Sequence, residues 1–219
     1  MISERAFAKS FASFWQELTP LLTPRFVALF NEAYEKALFD EKGAALRSVP
    51  IEPGTRADVV AEFAFWGARL LHENGRDSNE LLDDSAMVNE ASRKAFEVVH
   101  RYEGVKPEVV GPLEPAELRQ GLALATNYSS LYRACQPTTR IEFAPQFCGC
   151  GFLNAAEGDL GIDRTLVEVK TTTRRVAGKD LRQLITYLAL DAELDVNAGA
   201  MLPSLTLDVE RFTGLRSTH

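Results

Sequence analysis

Apolar residues recur every three to four positions through most of the first 135 residues, a spacing typical of amphipathic helices. Ser3 can cap a first helix that continues to Leu18. Pro24 suits the first turn of a second helix, which runs to Leu38. Further helices are predicted from the same spacing over residues 55–75, 84–102 and 115–135.

After residue 139 the pattern changes to short apolar runs that alternate with polar residues. Strands are predicted over 140–144, 152–160, 165–171 and 200–209, with a helix over 180–190. Pro203 indicates an edge or a bulge in the last strand, because proline cannot donate to a ladder. The elements predict an α+β fold, in the order helix, three strands, helix, strand.

Glycine and proline residues are concentrated between Gly104 and Pro115, which predicts a domain boundary there. The predicted division is a helical region over 1–105 and an α+β core over 112–219. With 219 residues and 46% hydrophobic content, the chain can bury a core in each part.

Two charged residues interrupt the apolar strand at 165–171. Glu168 and Lys170 are two apart and therefore share one face of the strand. Burying an acid and an amine together costs free energy unless they are paired or used by a site. Asp159 ends the preceding predicted strand, and a hairpin through residues 161–164 would bring it alongside Glu168. Two carboxylates and an amine suit a hard-metal site with an adjacent base or charge stabiliser. The alternative is a turn aspartate and a surface ion pair.

Asp159, the Glu168-Val169-Lys170 strand and a helix bearing Gln183 and Tyr187 together resemble the PD-(D/E)xK nuclease superfamily. The Gln-x-x-x-Tyr spacing is similar to its RecB/Cas4-like branch. The resemblance covers roughly residues 112–208 and implies a restriction-endonuclease-like αβββαβ core with a mixed central sheet. Gly158 stands where the superfamily name places proline.

The resemblance implies a role for each motif residue. Asp159, Glu168 and the carbonyl of Val169 would hold Mg²⁺ or Mn²⁺, and Lys170 would orient or deprotonate the attacking water. Gln183 would orient that water or the substrate, and Tyr187 would support the site or contact nucleic acid; a buried polar pair is the alternative for the two. The branch also implies an upstream acid or histidine, for which the weak candidates are Glu117, Glu142 and His100. Glu157 is a candidate additional acid.

The net charge of −7 argues against a protein that coats nucleic acid through bulk positive charge. The segment that follows the motif strand is locally basic, however, and is a candidate phosphate-binding segment. Its cations are Arg174, Arg175, Lys179 and Arg182. A solvated loop is the alternative, and Asp180 is interpreted as a helix N-cap.

Cysteine usage and hydropathy limit the setting of the protein. Cys135, Cys148 and Cys150 do not match the spacing of a structural zinc site. The Gly149-Cys150-Gly151 segment predicts a tight turn. The odd number of cysteines and the lack of a long apolar stretch favour a cytoplasmic protein that does not enter a membrane.

The sequence therefore predicts a metal-dependent nuclease that hydrolyses phosphodiester bonds in DNA, with RNA as an alternative substrate. Phage defence or mobile-element biology is the setting that the resemblance suggests. The helical region could bind a second copy of the chain or a partner protein. The alternative function is a catalytically silent subunit of the same fold that binds nucleic acid or serves a structural role.

Overall fold

The computed structural model describes residues 1–39, 49–50, 52–103, 112–135, 140–163, 165–170, 174–195 and 204–208. These residues form an α+β fold with the following elements in chain order. The helices are α1 (Glu4–Lys9), α2 (Ala12–Leu18), α3 (Pro24–Phe39), α4 (Ala57–Glu73), α5 (Ser85–Glu103), α6 (Pro115–Cys135) and α7 (Gly178–Asp195). The strands are β1 (Ile141–Phe143), β2 (Gln146–Phe147), β3 (Ala156–Glu157), β4 (Leu160–Ile162), β5 (Thr165–Val169) and β6 (Ser204–Asp208).

The described chain divides into two compact units. The first comprises the described residues of Met1–Ala45 and Gln136–Glu210, and the second those of Leu46–Cys135 and Arg211–His219. This division differs from the predicted one, since α1 to α3 belong with the sheet and α6 belongs with α4 and α5. Chain order predicted the boundary at 105–112, whereas packing of apolar faces decides which helices share a core.

The four-stranded sheet of the first unit has the order β1-β4-β5-β6. Strand β4 is antiparallel to both β1 and β5, and β6 pairs with β5 in parallel. The sheet is therefore mixed, as expected, because α7 crosses over between β5 and β6. Of the predicted last strand, Ser204–Asp208 is described, and Pro203 lies outside the described residues.

The strand predicted over 152–160 is divided in two. Strand β3 pairs with β2 in a separate two-stranded sheet, and β4 joins the main sheet. Between them, the Gly158 amide donates to the carbonyl of Pro145 at 2.9 Å, and the Asp159 carbonyl accepts from the amide of Ala144 at 3.0 Å. Ala144 adopts a φ of 53° at the bend of the opposite chain. Period-two alternation could not reveal this division, since both halves keep the pattern while changing partners.

The predicted first helix is also divided, because Phe11 adopts a left-handed conformation between α1 and α2 (φ 57°). The break brings α2 back against α1, so that the Trp15 indole donates to the carbonyl of Phe7 at 3.0 Å. The ring of Phe7 lies 5.0–5.5 Å from four other aromatic rings, those of Phe11, Phe14, Trp15 and Phe152. This aromatic packing offsets the cost of the left-handed residue.

The core of the first unit lies between α7 and the strands. Its buried members are Phe147, Ala156, Leu166, Val176, Leu181, Leu184, Tyr187 and Leu190. The rings of Phe147 and Tyr187 stack at 5.2 Å. Asn31 on α3 is buried, and its amide group exchanges hydrogen bonds with both the N–H and the carbonyl of Val176. These contacts hold α3 against the segment that leads into α7.

The second unit is built around α4, which packs against α5 and α6. Glu117 in the first turn of α6 is buried and bonds to Arg56 through both carboxylate oxygens, at 2.8 and 2.6 Å. The backbone amides of Arg56 and Glu114 also donate to it at 2.9 Å. None of the helices in the described part of the chain is long and apolar enough to cross a membrane.

Candidate active site

The β4–β5 hairpin brings Asp159 and Glu168 together, as the sequence predicted. Leu160 lies opposite Val167, so Asp159, one position earlier, comes across from Glu168, one position later. Asp159 Oδ2 accepts the backbone N–H of Val169 at 2.7 Å, which holds the carboxylate on this side of β5. Two acids that are nine positions apart in the chain therefore face each other at the end of a short hairpin.

Both faces of β5 are buried around Glu168. Val167 is fully buried on one face, and Glu168 is 1% exposed on the other. The Lys170 ammonium contacts Glu168 Oε1, and its side chain is only 17% exposed. Lys170 thus lies over the acid pair rather than in bulk solvent, as the shared strand face of Glu168 and Lys170 requires.

The Gln-x-x-x-Tyr residues of α7 extend this cluster. Lys170 Nζ donates to Gln183 Oε1 at 3.0 Å, and Gln183 Nε2 donates to the hydroxyl of Tyr187 at 2.9 Å. Both helix residues are at most 5% exposed. Their spacing of four places them on one helix face, so the lysine and the tyrosine meet opposite ends of one amide group.

The structure adds two residues that the sequence analysis did not select, Glu4 and Arg5 on α1. The Tyr187 hydroxyl donates to Glu4 Oε1 at 3.3 Å, and Arg5 Nε lies 3.5 Å from the same oxygen. Arg5 also lies within the electrostatic field of Asp159 and Glu168. No local signal in the first ten residues pointed to them, since a charged pair after an N-cap is ordinary helix chemistry.

Burial raises the pKa of both acids in the pair. For Glu168, burial and then repulsion by Asp159 raise the pKa to about 8, although Lys170 opposes the shift. Burial likewise raises the pKa of Asp159, against the opposing charge of Lys170. Burial is also the first cause of a raised pKa at Tyr187, so that its hydroxyl stays protonated and able to donate. Two acids of this kind are stabilised by a shared proton or by a cation.

The donor set fits a hard divalent cation. In the described structure, Glu168 Oε2 is a buried oxygen without a hydrogen-bond partner, and Asp159 lies directly across from it. Carboxylate oxygens are the ligands that Mg²⁺ and Mn²⁺ prefer, and Mg²⁺ is commonly held by one or two carboxylates plus water. No group of three or more His, Cys, Asp or Glu side chains within the described residues could hold a metal ion. The candidate ligands are therefore the acid pair, with the backbone carbonyl of Val169 still a prediction.

Gly158 lies in close packing before Asp159. A Cβ atom at this position would lie 3.0 Å from the ring of Phe147 and 3.2 Å from the ring of Pro145. The space that a proline would need is thus occupied by two other rings.

Two of the four cations in the predicted basic segment contact side chains of the protein, and the other two are exposed. Arg174 forms a bidentate ion pair with the buried Asp180, with nitrogen–oxygen distances of 2.5 and 2.8 Å. Asp180 lies in the first turn of α7, where it accepts the amide of Ala177 at 2.8 Å, and is not the N-cap itself. The guanidinium of Arg182 lies 5.9 Å from the ring centre of Trp15.

Lys179 and Arg175 are exposed near the start of α7. Glu157 is exposed on β3 and bonds to Gln146 at 2.6 Å, outside the acid pair. Glu142 pairs with Arg140 at 2.7 Å. Glu117 and His100 lie in the second unit, where Arg56 engages Glu117.

The predicted tight turn at Gly149–Gly151 is present. A Cβ atom on Gly149 would come within 2.7 Å of the backbone of Leu153 and Ala155. Gly151 adopts a φ of 56°, which favours glycine. Cys148 is exposed, and Cys150 is partly buried.

The chain matches no protein-family model, no curated protein and no solved structure.

Proposed function

We propose that this protein is a metal-dependent nuclease that hydrolyses phosphodiester bonds in DNA. The observation that carries the proposal is the pairing of Asp159 with Glu168 across the β4–β5 hairpin, with Lys170 on the same acid. A buried acid that faces a second, partly buried acid is costly unless a proton or a cation joins them. A bound divalent cation would offset this electrostatic cost, because its positive charge stabilises both carboxylates.

The chain's own residues divide the work of such a site. Asp159 and Glu168 would hold the cation as ionised carboxylates. When bound, a divalent cation polarises a phosphoryl oxygen and makes a coordinated water more acidic. Lys170, held by Gln183, would orient the attacking water or stabilise the negative charge that develops on the phosphate. These are the roles that the resemblance to PD-(D/E)xK nucleases implies.

The fold supports the same assignment. Three antiparallel strands, a helix and a fourth strand parallel to the third follow one another in the order β1, β4, β5, α7, β6. This order supports the βββαβ part of a restriction-endonuclease-like core, whereas α6, the helix predicted to precede these strands in the core, lies in the second unit. The motif residues lie on or directly beside the central strand pair and on the crossover helix, where a rigid frame can hold them.

Lys179 and Arg175 are the candidate phosphate contacts, since both are exposed at the start of α7. Arg174 and Arg182 have structural roles in the same segment, through Asp180 and Trp15. We therefore expect Lys179→Ala to weaken DNA binding and to lower its salt dependence, because phosphate contacts release counterions.

The test is a cleavage assay on plasmid and linear DNA, with an RNA arm, in Mg²⁺, Mn²⁺ or EDTA. The wild type is expected to cut only with the metal, and Glu168→Gln and Lys170→Met to lose roughly 100-fold or more of the rate. Lys9→Met and Glu17→Gln are matched controls, since both remove exposed charges of the same kinds from α1 and α2. Their rates should equal that of the wild type.

DNA that stays intact with the wild type and with both site variants, although all three bind it, would favour the silent-subunit function. Cleavage that persists in EDTA would overturn the metal requirement. Cleavage confined to the RNA arm would change the substrate and leave the chemistry as proposed.

A further inference from the structure

A continuous chain of hydrogen bonds connects Lys170 with the N-terminal helix. It runs from the Lys170 ammonium to the Gln183 amide, from that amide to the Tyr187 hydroxyl, and from the hydroxyl to the carboxylate of Glu4. The donor–acceptor distances are 3.0, 2.9 and 3.3 Å. The last link joins residues 183 positions apart in the chain.

The chain has one direction throughout. Lys170 can only donate, Glu4 as a carboxylate can only accept, and the amide and hydroxyl between them each donate and accept once. A change at the Glu4 end is therefore transmitted. Without the carboxylate, the Tyr187 hydroxyl has no described acceptor and can turn towards Gln183, whose amide can then reverse and withdraw its oxygen from Lys170.

Glu4 is held firmly enough to act in this way. Ile2 forms a parallel bridge with Leu153, made by two backbone hydrogen bonds of 2.9 Å. Phe7 and Ala8 on the same helix are buried, and α1 packs against α7. The side chain of Glu4 is 12% exposed.

A purely local role for Glu4 is less consistent with these contacts. Its other partner, Arg5, has a side chain that is 67% exposed, and exposed ion pairs contribute little. Tyr187 is 1% exposed, and a buried hydroxyl without an acceptor is costly. Glu4 therefore contributes more through its hydrogen bond with the Tyr187 hydroxyl than through its ion pair with Arg5.

We propose that Glu4 is a positioning residue, which sets the orientation of the Lys170 ammonium through Tyr187 and Gln183. The inference rests on the proposed nuclease function for its catalytic consequence, but its structural part does not depend on cleavage. It makes docking of α1 on α7 a condition for an ordered Lys170.

The experiment is NMR of protein labelled with ¹³Cε and ¹⁵Nζ lysine, recorded without metal or DNA. The Lys170 signal is assigned by its loss in Lys170→Met. Glu4→Ala and Tyr187→Phe should both shift this signal, whereas Glu4→Gln, which keeps an acceptor oxygen, should leave it in place. Glu17→Ala removes an exposed carboxylate from neighbouring α2 and should have no effect.

The kinetic arm compares kcat and KM on DNA. Glu4→Ala is expected to lower kcat roughly 10-fold with KM unchanged, as for residues that orient catalytic groups indirectly. The kcat of Glu4→Gln should be close to that of the wild type, because glutamine keeps an acceptor oxygen. The double variant Glu4→Ala/Tyr187→Phe should be no worse than Tyr187→Phe alone, since the single tyrosine variant already lacks the bond between Tyr187 and Glu4.

A Lys170 signal that is the same in wild type, Glu4→Ala and Tyr187→Phe would overturn the proposal. An equal shift in Glu17→Ala would do the same, because the effect would then be a general one of the N-terminal helices. If Glu4→Ala does not fold, Tyr187→Phe still tests the proposal, because it removes the bond to Glu4 together with the bond from Gln183, and an unchanged Lys170 signal in it would overturn the proposal. A shift of the signal in a protein that cuts no substrate would uphold the positioning role and reject the nuclease function.

Discussion

Three acids within the described chain are buried, namely Glu117, Asp180 and Glu168. Two of them are bound by arginine, and the third has an oxygen without a partner. Glu117 and Asp180 each bind an arginine through two bonds and also accept backbone amides. Hydrogen bonds from Arg56 lower the pKa of Glu117 to about 2. For Asp180, burial opposes the shift, but Arg174 and the amide of Ala177 lower its pKa. Glu168 has an unpartnered oxygen and a raised pKa, so it is the acid suited to bind something further.

The paired acid Glu117 should make the helical unit sensitive to low pH. Its folded pKa of about 2 is below its ordinary value of 4.5, so its stabilising effect is complete above pH 4.5. That effect is lost as the pH falls from 4.5 towards 2. We expect Glu117→Gln to lower the free energy of unfolding by about 2–4 kcal/mol at pH 6, and the difference from wild type to shrink below pH 4.

Urea unfolding followed by circular dichroism at pH 6, 4 and 3 measures this difference. Glu73→Gln is the control, since its ion pair with Arg69 is exposed and should contribute less than about 1 kcal/mol. A wild-type advantage that stays constant down to pH 3 would contradict the expectation.

Gly158 should tolerate no larger residue. Gly158→Ala would place a Cβ atom 3.0 Å from the Phe147 ring and 3.2 Å from Pro145, and overpacking of this kind costs about 1–3 kcal/mol. Gly158→Pro should cost more, because it also removes the N–H that bonds to the Pro145 carbonyl. Thermal melting should therefore rank wild type above alanine and alanine above proline. A proline variant as stable as wild type would refute this reading of the packing.

At the scale of elements, the site depends on two connecting segments, one between strands and one before α7. The β4–β5 hairpin sets the acid pair, and the segment before α7 sets the helix that carries Gln183 and Tyr187. Asn31 on α3 holds that segment through the backbone of Val176, at 2.9 and 3.0 Å. Arg174 and Asp180 hold its other side. The position of α7 is thus decided by polar contacts to backbone as well as by its apolar face.

Removal of the Asn31 amide should loosen α7. Asn31→Ala leaves the buried N–H and carbonyl of Val176 without these partners, which costs about 1–3 kcal/mol for each unsatisfied group. The melting temperature should fall, and hydrogen exchange at the start of α7 should become faster. Asn74→Ala is the control, since Asn74 bonds only to its own helix at an exposed end. Equal exchange rates at α7 in wild type and Asn31→Ala would show that the apolar face alone holds the helix.

At the scale of the whole molecule, the N-terminal segment belongs with the sheet despite the long stretch of chain between them. The described residues of Met1–Ala45 form one unit with those of Gln136–Glu210. The connection is made by the Ile2–Leu153 bridge, the aromatic cluster around Phe7 and the cation–ring contact of Arg182 with Trp15. The helices α4 to α6 form a unit of their own.

A chain that lacks residues 1–22 should therefore lose activity although it keeps every motif residue from 157 to 187. The truncation removes Glu4, which bonds to Tyr187, and Trp15, which contacts Arg182. We expect it to reduce the cleavage rate by more than about 10-fold. The assay is the one proposed for the wild type, with near-ultraviolet circular dichroism of the truncated chain beside it. Wild-type cleavage by that chain would contradict both the prediction and the role of α1.

The type and order of most elements were predictable, and so was the acid pair. Helix α6 begins and ends where its start and stop residues indicate, since helix periodicity and capping are local properties. Asp159 and Glu168 could be placed opposite each other because a short hairpin leaves the chain few other paths. Alternation along β5 likewise placed Lys170 with Glu168.

By itself, then, the sequence determined the local elements and the contacts made within a few turns of chain. Tertiary structure alone decided that Glu4 meets Tyr187, that Arg174 is engaged by Asp180, and that 152–160 divides between two sheets. The physical reason is that these contacts depend on which apolar faces pack together across long stretches of chain. Such packing is a property of the assembled core, and no periodicity along the chain records it.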